Sequence, residues 1–137
     1  MKKKVLIIDD HADFRAMVKD YLNRDELDLE IFEASTAEMG VAKASFVKPD
    51  IVLMDISLPS ANGLEATKHI KEDAPNSDII ILTMFDVEVF KQAAQKIKAT
   101  AFIGKSEIYE RLLPVIKECL KMKNTKKEDK YNGHYKS

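Results

Sequence analysis

The chain has 137 residues, 45% hydrophobic and 33% charged, which is apolar material enough for the core of one domain and not of two. Its 22 basic and 23 acidic residues leave a net charge of -1, so nothing points to sequence-independent DNA binding or an anionic membrane surface. A single cysteine, Cys119, excludes an internal disulfide and fits a reducing compartment; it falls in a helical apolar pattern and reads as packing.

The first apolar run, Val5 to Ile8, is too short for a secretory signal and ends in two aspartates. No segment approaches the roughly 20 apolar residues that span a bilayer, so the expected location is the cytoplasm. Val5 to Ile8, Ile51 to Met54 and Ile79 to Leu82 are continuous apolar runs, as expected of strands buried on both faces of a parallel sheet. Glu30 to Ala34 alternates and suits an edge strand, and Ala101 to Ile103 is a short last strand. Helical spacing links Phe14, Met17, Val18, Tyr21 and Leu22. Ser35 or Thr36 can cap a helix over Ala37 to Phe46, and Glu38 completes a capping box if the cap is Ser35. Pro49 then turns the chain into the third strand. Asn62-Gly63 opens a helix that runs to about Asp73 and is closed by Pro75. Asp86 can cap Val87 to Lys96, and a last helix follows Ser106, with Pro114 inside it as a bend or as the cause of a freed carbonyl.

This β-α order, repeated five times, predicts an open parallel α/β sheet with helices on both faces. Residues 1–120 form the expected domain. Residues 121–137 are charged, almost without apolar content, and expected to be a frayed or disordered tail.

Ligands of open α/β sheets bind beyond the carboxyl ends of the strands. There the sequence places Asp9 and Asp10 after the first strand, Asp55 after the third, Thr83 after the fourth and Lys105 after the fifth. Each alone reads as a cap, a turn or a solvated surface residue. Together they are three carboxylates, a hydroxyl and an ammonium at one edge. Carboxylates at close quarters need a cation, and oxygen-only donors select a hard one, Mg²⁺ first. A carboxylate is also a nucleophile for phosphoryl transfer, and the metal and Lys105 would stabilise the incoming charge.

The same blocks resemble the response-regulator receiver family. They are Val5-Leu-Ile-Ile-Asp-Asp10, Pro49-Asp-Ile-Val-Leu-Met-Asp55, Leu58-Pro59 with Asn62-Gly-Leu-Glu65, Ile79-Ile-Ile-Leu-Thr83 and Gly104-Lys105. They cover roughly residues 2–120, and Ile81-Leu-Thr-Met-Phe-Asp86 is most similar to the NarL/FixJ subfamily. The resemblance implies a flavodoxin-like (βα)5 sandwich of strand order 2-1-3-4-5. It implies Asp55 as the phosphoacceptor, phosphorylated by a histidine kinase or phosphotransfer protein. Mg²⁺ would sit on Asp10, Asp55 and the main-chain carbonyl of Ser57, with Asp9 acting mainly through water. Thr83 and Lys105 would contact the phosphoryl group, and Phe102 would be the aromatic switch residue. For Phe102 a plain core role stays open. The output would be a changed surface on the helix 87–96, the last strand and the last helix, read by a partner or an output domain. A phosphorylation-dependent homodimer would fit the family, with no direct nucleic acid or membrane contact by this chain and no small molecule turned over.

Three positions depart from the pattern. Met84 replaces the usual small residue after Thr83 and could narrow access to Asp55, Ser106 stands where Pro is common, and Lys98-Ala-Thr-Ala101 lacks the usual Gly. Most NarL/FixJ members continue into a helix-turn-helix domain, for which this chain stops too soon, so a stand-alone receiver and an excised domain are both open; the tail carries no obvious expression scar, and the expectation is a stand-alone receiver. A haloacid-dehalogenase-type phosphatase needs a second acid where Ser57 stands, and an FMN carrier needs a hydroxyl- and glycine-rich loop where His11-Ala-Asp-Phe stands. The remaining alternative is a phosphorylation-independent binding module of receiver fold.

Overall fold

A computed structural model of the chain describes residues 2–56, 61–84, 88 and 98–136. The elements in order are β1 (Lys3–Ile8), α1 (Ala12–Asn23), β2 (Leu29–Ala34), α2 (Ala37–Val47), β3 (Ile51–Asp55), α3 (Ala61–Asp73), β4 (Asp78–Thr83), β5 (Ala101–Gly104), a 3-10 turn (Lys105–Glu107) and α4 (Ile108–Lys136). All five strands are parallel, in the order β2-β1-β3-β4-β5. This is the layout expected from the sequence. The helix expected over 87–96 lies outside the described residues but for Glu88, as does Ser57.

The continuous apolar runs have a simple cause. Successive strand residues point to opposite faces, so a strand covered on both sides must be apolar at every position. On one face Val5, Ile7, Leu53, Ile80, Leu82 and Ile103 pack with Val18 and Leu22 of α1 and with Leu112 and Ile116 of α4. On the other, Leu6, Ile8, Val52, Met54, Ile79 and Ile81 pack with Ala44 of α2 and with Ala66 and Ile70 of α3. The two edge strands are the exceptions, with only Ala34 fully buried in β2 and only Ile103 in β5.

Thr36, not Ser35, caps α2: its Oγ1 accepts from the Met39 backbone N–H at 3.1 Å. Glu38 is then one position short of the third helical residue that a capping box requires. Gly40 lets α2 approach the sheet, since a Cβ there would stand 2.4 Å from Ile8 Cδ1. At its other end α2 stops on Lys48, which has a left-handed φ of 54°. Pro114 lies inside α4 and leaves the Glu110 carbonyl without its helical donor. The helical backbone of α4 runs on to Lys136, over the stretch whose charge and low apolar content favour fraying.

Candidate functional site

The register of the sheet decides what meets at its carboxyl edge. Ile8 pairs with Met54, and the Asp9 backbone N–H donates to the Ala34 carbonyl at 3.1 Å, so β1 delivers Asp9 level with Asp55 at the end of the neighbouring β3. Asp55 pairs in turn with Leu82, and Thr83 with Gly104, which sets Thr83 and Lys105 at the same edge. Thr83 is fully buried.

Lys105 ties the edge together. Its Nζ lies 2.9 Å from Asp55 Oδ1 and 3.2 Å from Asp9 Oδ2. The Asp9 and Asp55 side chains are 0% and 3% exposed and that of Lys105 is 11% exposed, so these charges face one another rather than water. Burial pushes the Asp55 carboxyl up; Lys105 pulls it down, Asp9 pushes it up again, and the balance stays above the usual carboxylate range. Burial also pushes Asp9 up, but the His11 backbone N–H, Asp55 and Lys105 outweigh it and hold Asp9 below that range. The His11 N–H donates to Asp9 Oδ1 at 2.7 Å. Asp9 is therefore the settled anion of the pair, and Asp55 is the carboxylate whose charge the fold leaves under-compensated.

Asp10 is 71% exposed, and His11 Nδ1 stands 2.8 Å from its Oδ1. Asp9, Asp10, His11 and Asp55 each offer one ligand atom, all within 4.8 Å of one another. Three carboxylates with one ammonium carry excess negative charge, and a hard divalent cation fits both that charge and the oxygen donors. The cluster is thus compatible with a metal ion. Phe102 is half-buried in β5 and packs with the cluster on the α2 and α3 face. Met84 is 73% exposed.

The structure also brings up residues that strand-end reasoning passed over. Arg15 Nη1 donates to the Asp9 carbonyl at 2.6 Å while its Nε pairs with Glu33 at 3.1 Å, which pins the acidic loop to β2. The sequence held one signal for this. A cation at the start of a helix is disfavoured by the helix dipole, so Arg15 needed a local acceptor. Phe14 places its ring 4.0 Å from Lys105 Nζ, a contact that helical spacing alone could not show.

Among the described residues no helix is long and apolar enough to cross a membrane. Solved structures with this fold include the response regulator domain of Thermotoga maritima CheB, 27% identical with a TM-score of 0.76 over 88% of this chain and 98% of that one. A CheY-like receiver domain protein from Methanospirillum hungatei is 28% identical, with a TM-score of 0.79 over 92% of this chain and 99% of that one. Among curated proteins, the response regulator protein VraR of Staphylococcus aureus is 38% identical over 94 residues, 66% of this chain and 44% of VraR, and supports the NarL/FixJ-like placement. The chain thus spans less than half the length of the curated relatives it matches. The family model for the response regulator receiver domain matches residues 5–117, and the chain belongs to that family.

Proposed function

We infer that the chain is a phosphorylation switch of a two-component system, and that Asp55 accepts the phosphoryl group. The observation that carries this reading is the buried Asp9–Lys105–Asp55 contact at the carboxyl edge, with Lys105 2.9 Å from Asp55 and 3.2 Å from Asp9. A carboxylate in that position is dry and held beside an ammonium, which would meet the added negative charge of an acyl phosphate formed there.

In the reaction a carboxylate oxygen of Asp55 forms a bond to phosphorus. The bond from phosphorus to the donor breaks, a P–N bond where the donor is a phosphohistidine, and the freed imidazole takes up a proton. Asp9, Asp10 and Asp55 would hold Mg²⁺, with the main-chain carbonyl of Ser57 as a further ligand, and that ion supplies neutralising charge to the transferring phosphoryl oxygens. Asp9 keeps its charge through the His11 N–H and Lys105. Lys105 is already 2.9 Å from Asp55 and meets the new dianion with little movement. Thr83 donates its hydroxyl to a phosphoryl oxygen, and Phe102 follows inward on β5. The face of the helix 87–96, β5 and α4 changes with them, and a downstream partner or output domain reads the change.

The partners in this reading are a histidine kinase or phosphotransfer protein upstream and a protein target downstream, with a homodimer as one form of the activated state. The setting is the cytoplasm. The chain turns over no small molecule and catalyses only its own phosphorylation and slow dephosphorylation. Residues 1–120 act as the receiver and 121–137 as an appended charged segment. The size of Met84 raises the alternative of a phosphorylation-independent binding module, and the intact set of Asp55, Thr83 and Lys105 argues against it.

Incubation with Mg²⁺ and acetyl phosphate, followed by intact mass, tests the reading. A gain of one phosphoryl group is expected in the wild type, absent from Asp55→Asn and abolished by chelation. No gain with any donor would discard the phosphoacceptor assignment and leave the binding module.

A further inference from the structure

We propose that Phe14 is a positioning residue for Lys105, its ring face holding the ammonium against Asp55 through a cation–π contact. The inference rests on the reading of Lys105 given above and adds to it a residue from the other end of the chain.

The geometry follows from two local rules. α1 leaves β1 at the carboxyl edge, so its first turn stands beside the acidic loop. Side chains of a helix lean toward its N-terminus, which carries the ring of Phe14 up toward that edge rather than down the sheet. β5 ends at the same edge, and Lys105 is the first residue after it. The two meet with Nζ 4.0 Å from the ring centroid, well inside the range of about 6 Å in which the ring quadrupole attracts a cation.

Three groups therefore surround one ammonium: Asp55 at 2.9 Å, Asp9 at 3.2 Å and the Phe14 ring at 4.0 Å. The carboxylates fix the charge in one direction only, toward themselves. The ring faces the ammonium from a further side, and the Lys105 side chain is only 11% exposed among these groups. Phe14 itself is half-buried and packed on the cluster formed by α1, α4 and the sheet, so its ring has a fixed seat. A long, flexible lysine stem does not hold a position unaided. With the ring in place, the ammonium is waiting at the phosphoacceptor before a phosphoryl group arrives.

Three versions of residue 14 separate this role from simple packing. Phe14→Leu keeps the apolar seat and loses the face, Phe14→Tyr keeps both, and pentafluorophenylalanine keeps the ring shape while removing the negative charge of its face. Two readouts are taken on each. The first is the proton shifts of the Lys105 side chain by NMR without any phosphodonor. The second is the rate of Mg²⁺-dependent phosphorylation by acetyl phosphate. Upfield ring-current shifts are expected in the wild type and in Phe14→Tyr, and none in Phe14→Leu. Phosphorylation should slow about threefold to tenfold in the leucine and pentafluoro variants and stay within about twofold in the tyrosine variant, the range that one partly desolvated cation–π contact spans.

A folded pentafluoro variant that phosphorylates at the wild-type rate would overturn the proposal, as would the absence of ring-current shifts on Lys105 in the wild type. Failure of the wild type to take up phosphate at all would sink the phosphoacceptor reading instead, and with it the role of Phe14 in that reaction. The NMR arm would still decide the contact.

Discussion

Removing the charge of the proposed phosphoacceptor should make the metal-free protein more stable. The reasoning starts from distances. Lys105 at 2.9 Å attracts an ionised Asp55 by about 5.7 kcal/mol with an effective dielectric near 20. A second carboxylate at the 4.8 Å limit of the cluster repels it by about 3.5 kcal/mol on the same basis, and Asp9 and Asp10 both lie within that limit. Asp10 is well solvated and counts for less. Attraction and repulsion thus nearly cancel, and the cost of burying a charge in a side chain only 3% exposed is left over. Asp55→Asn should therefore gain about 1–2 kcal/mol in chelator at pH 7.5, which is about 3–6 °C in Tm for a domain of this size. Because burial raises the Asp55 carboxyl, the fold favours its protonated form. The wild type is at its disadvantage above that raised pKa, and the gap to Asp55→Asn closes as pH falls toward the ordinary carboxylate value of about 3.9. Added Mg²⁺ narrows the gap if Asp55 is a ligand: at tenfold excess over Kd it adds about 1.4 kcal/mol to the wild type and less to the variant. Urea unfolding followed by circular dichroism, in chelator and in Mg²⁺, measures all of this. An asparagine variant no more stable than the wild type in chelator would refute the charge argument, and equal gains from Mg²⁺ would remove Asp55 from the metal site.

Asp9→Asn should do the opposite and lose about 1–2 kcal/mol at neutral pH, because Asp9 is the anion that the His11 N–H and Lys105 hold. That contribution is present above the unfolded value of about 3.9 and disappears as pH falls through the lowered folded value. The buried Cys119 thiol is pushed up to about 11 by burial first, so a thiol reagent at pH 8 should label it only after denaturant is added; rapid native labelling would count against its packing. Lys48→Gly should raise stability by about 0.5–1 kcal/mol in the same urea assay, since φ is 54° there, with the exposed Nζ bond to the Asp73 carbonyl a small loss. Met84→Ala should change stability by less than about 0.5 kcal/mol, and a larger loss would mean that the side chain packs over the site.

Much of this molecule is written in runs of sequence short enough for local rules to act. Strands buried on both faces must be apolar at every position, so Val5–Ile8, Ile51–Met54 and Ile79–Leu82 declared themselves, and the handedness of β-α-β units then constrained the layout. Acids, hydroxyl and lysine at the strand ends were legible for the same reason, because the end of a run can be read from the run. The division of labour among the acids was not. Asp9 and Asp10 are adjacent and identical in chemistry, yet one is buried on Lys105 and the other is 71% exposed, since neighbouring residues at a strand end leave in opposite directions. Nor could spacing show that Phe14 faces the ammonium of Lys105 or that Arg15 grips the Asp9 carbonyl. Those contacts join residues of different elements through long side chains, and only the packing of α1 against the sheet brings them within reach. Nor did the sequence choose between Ser35 and Thr36 as the cap of α2, which the Met39 N–H to Thr36 Oγ1 bond assigns to Thr36. Composition and period determined the elements and their order, and the third dimension decided which charges the fold would leave facing one another.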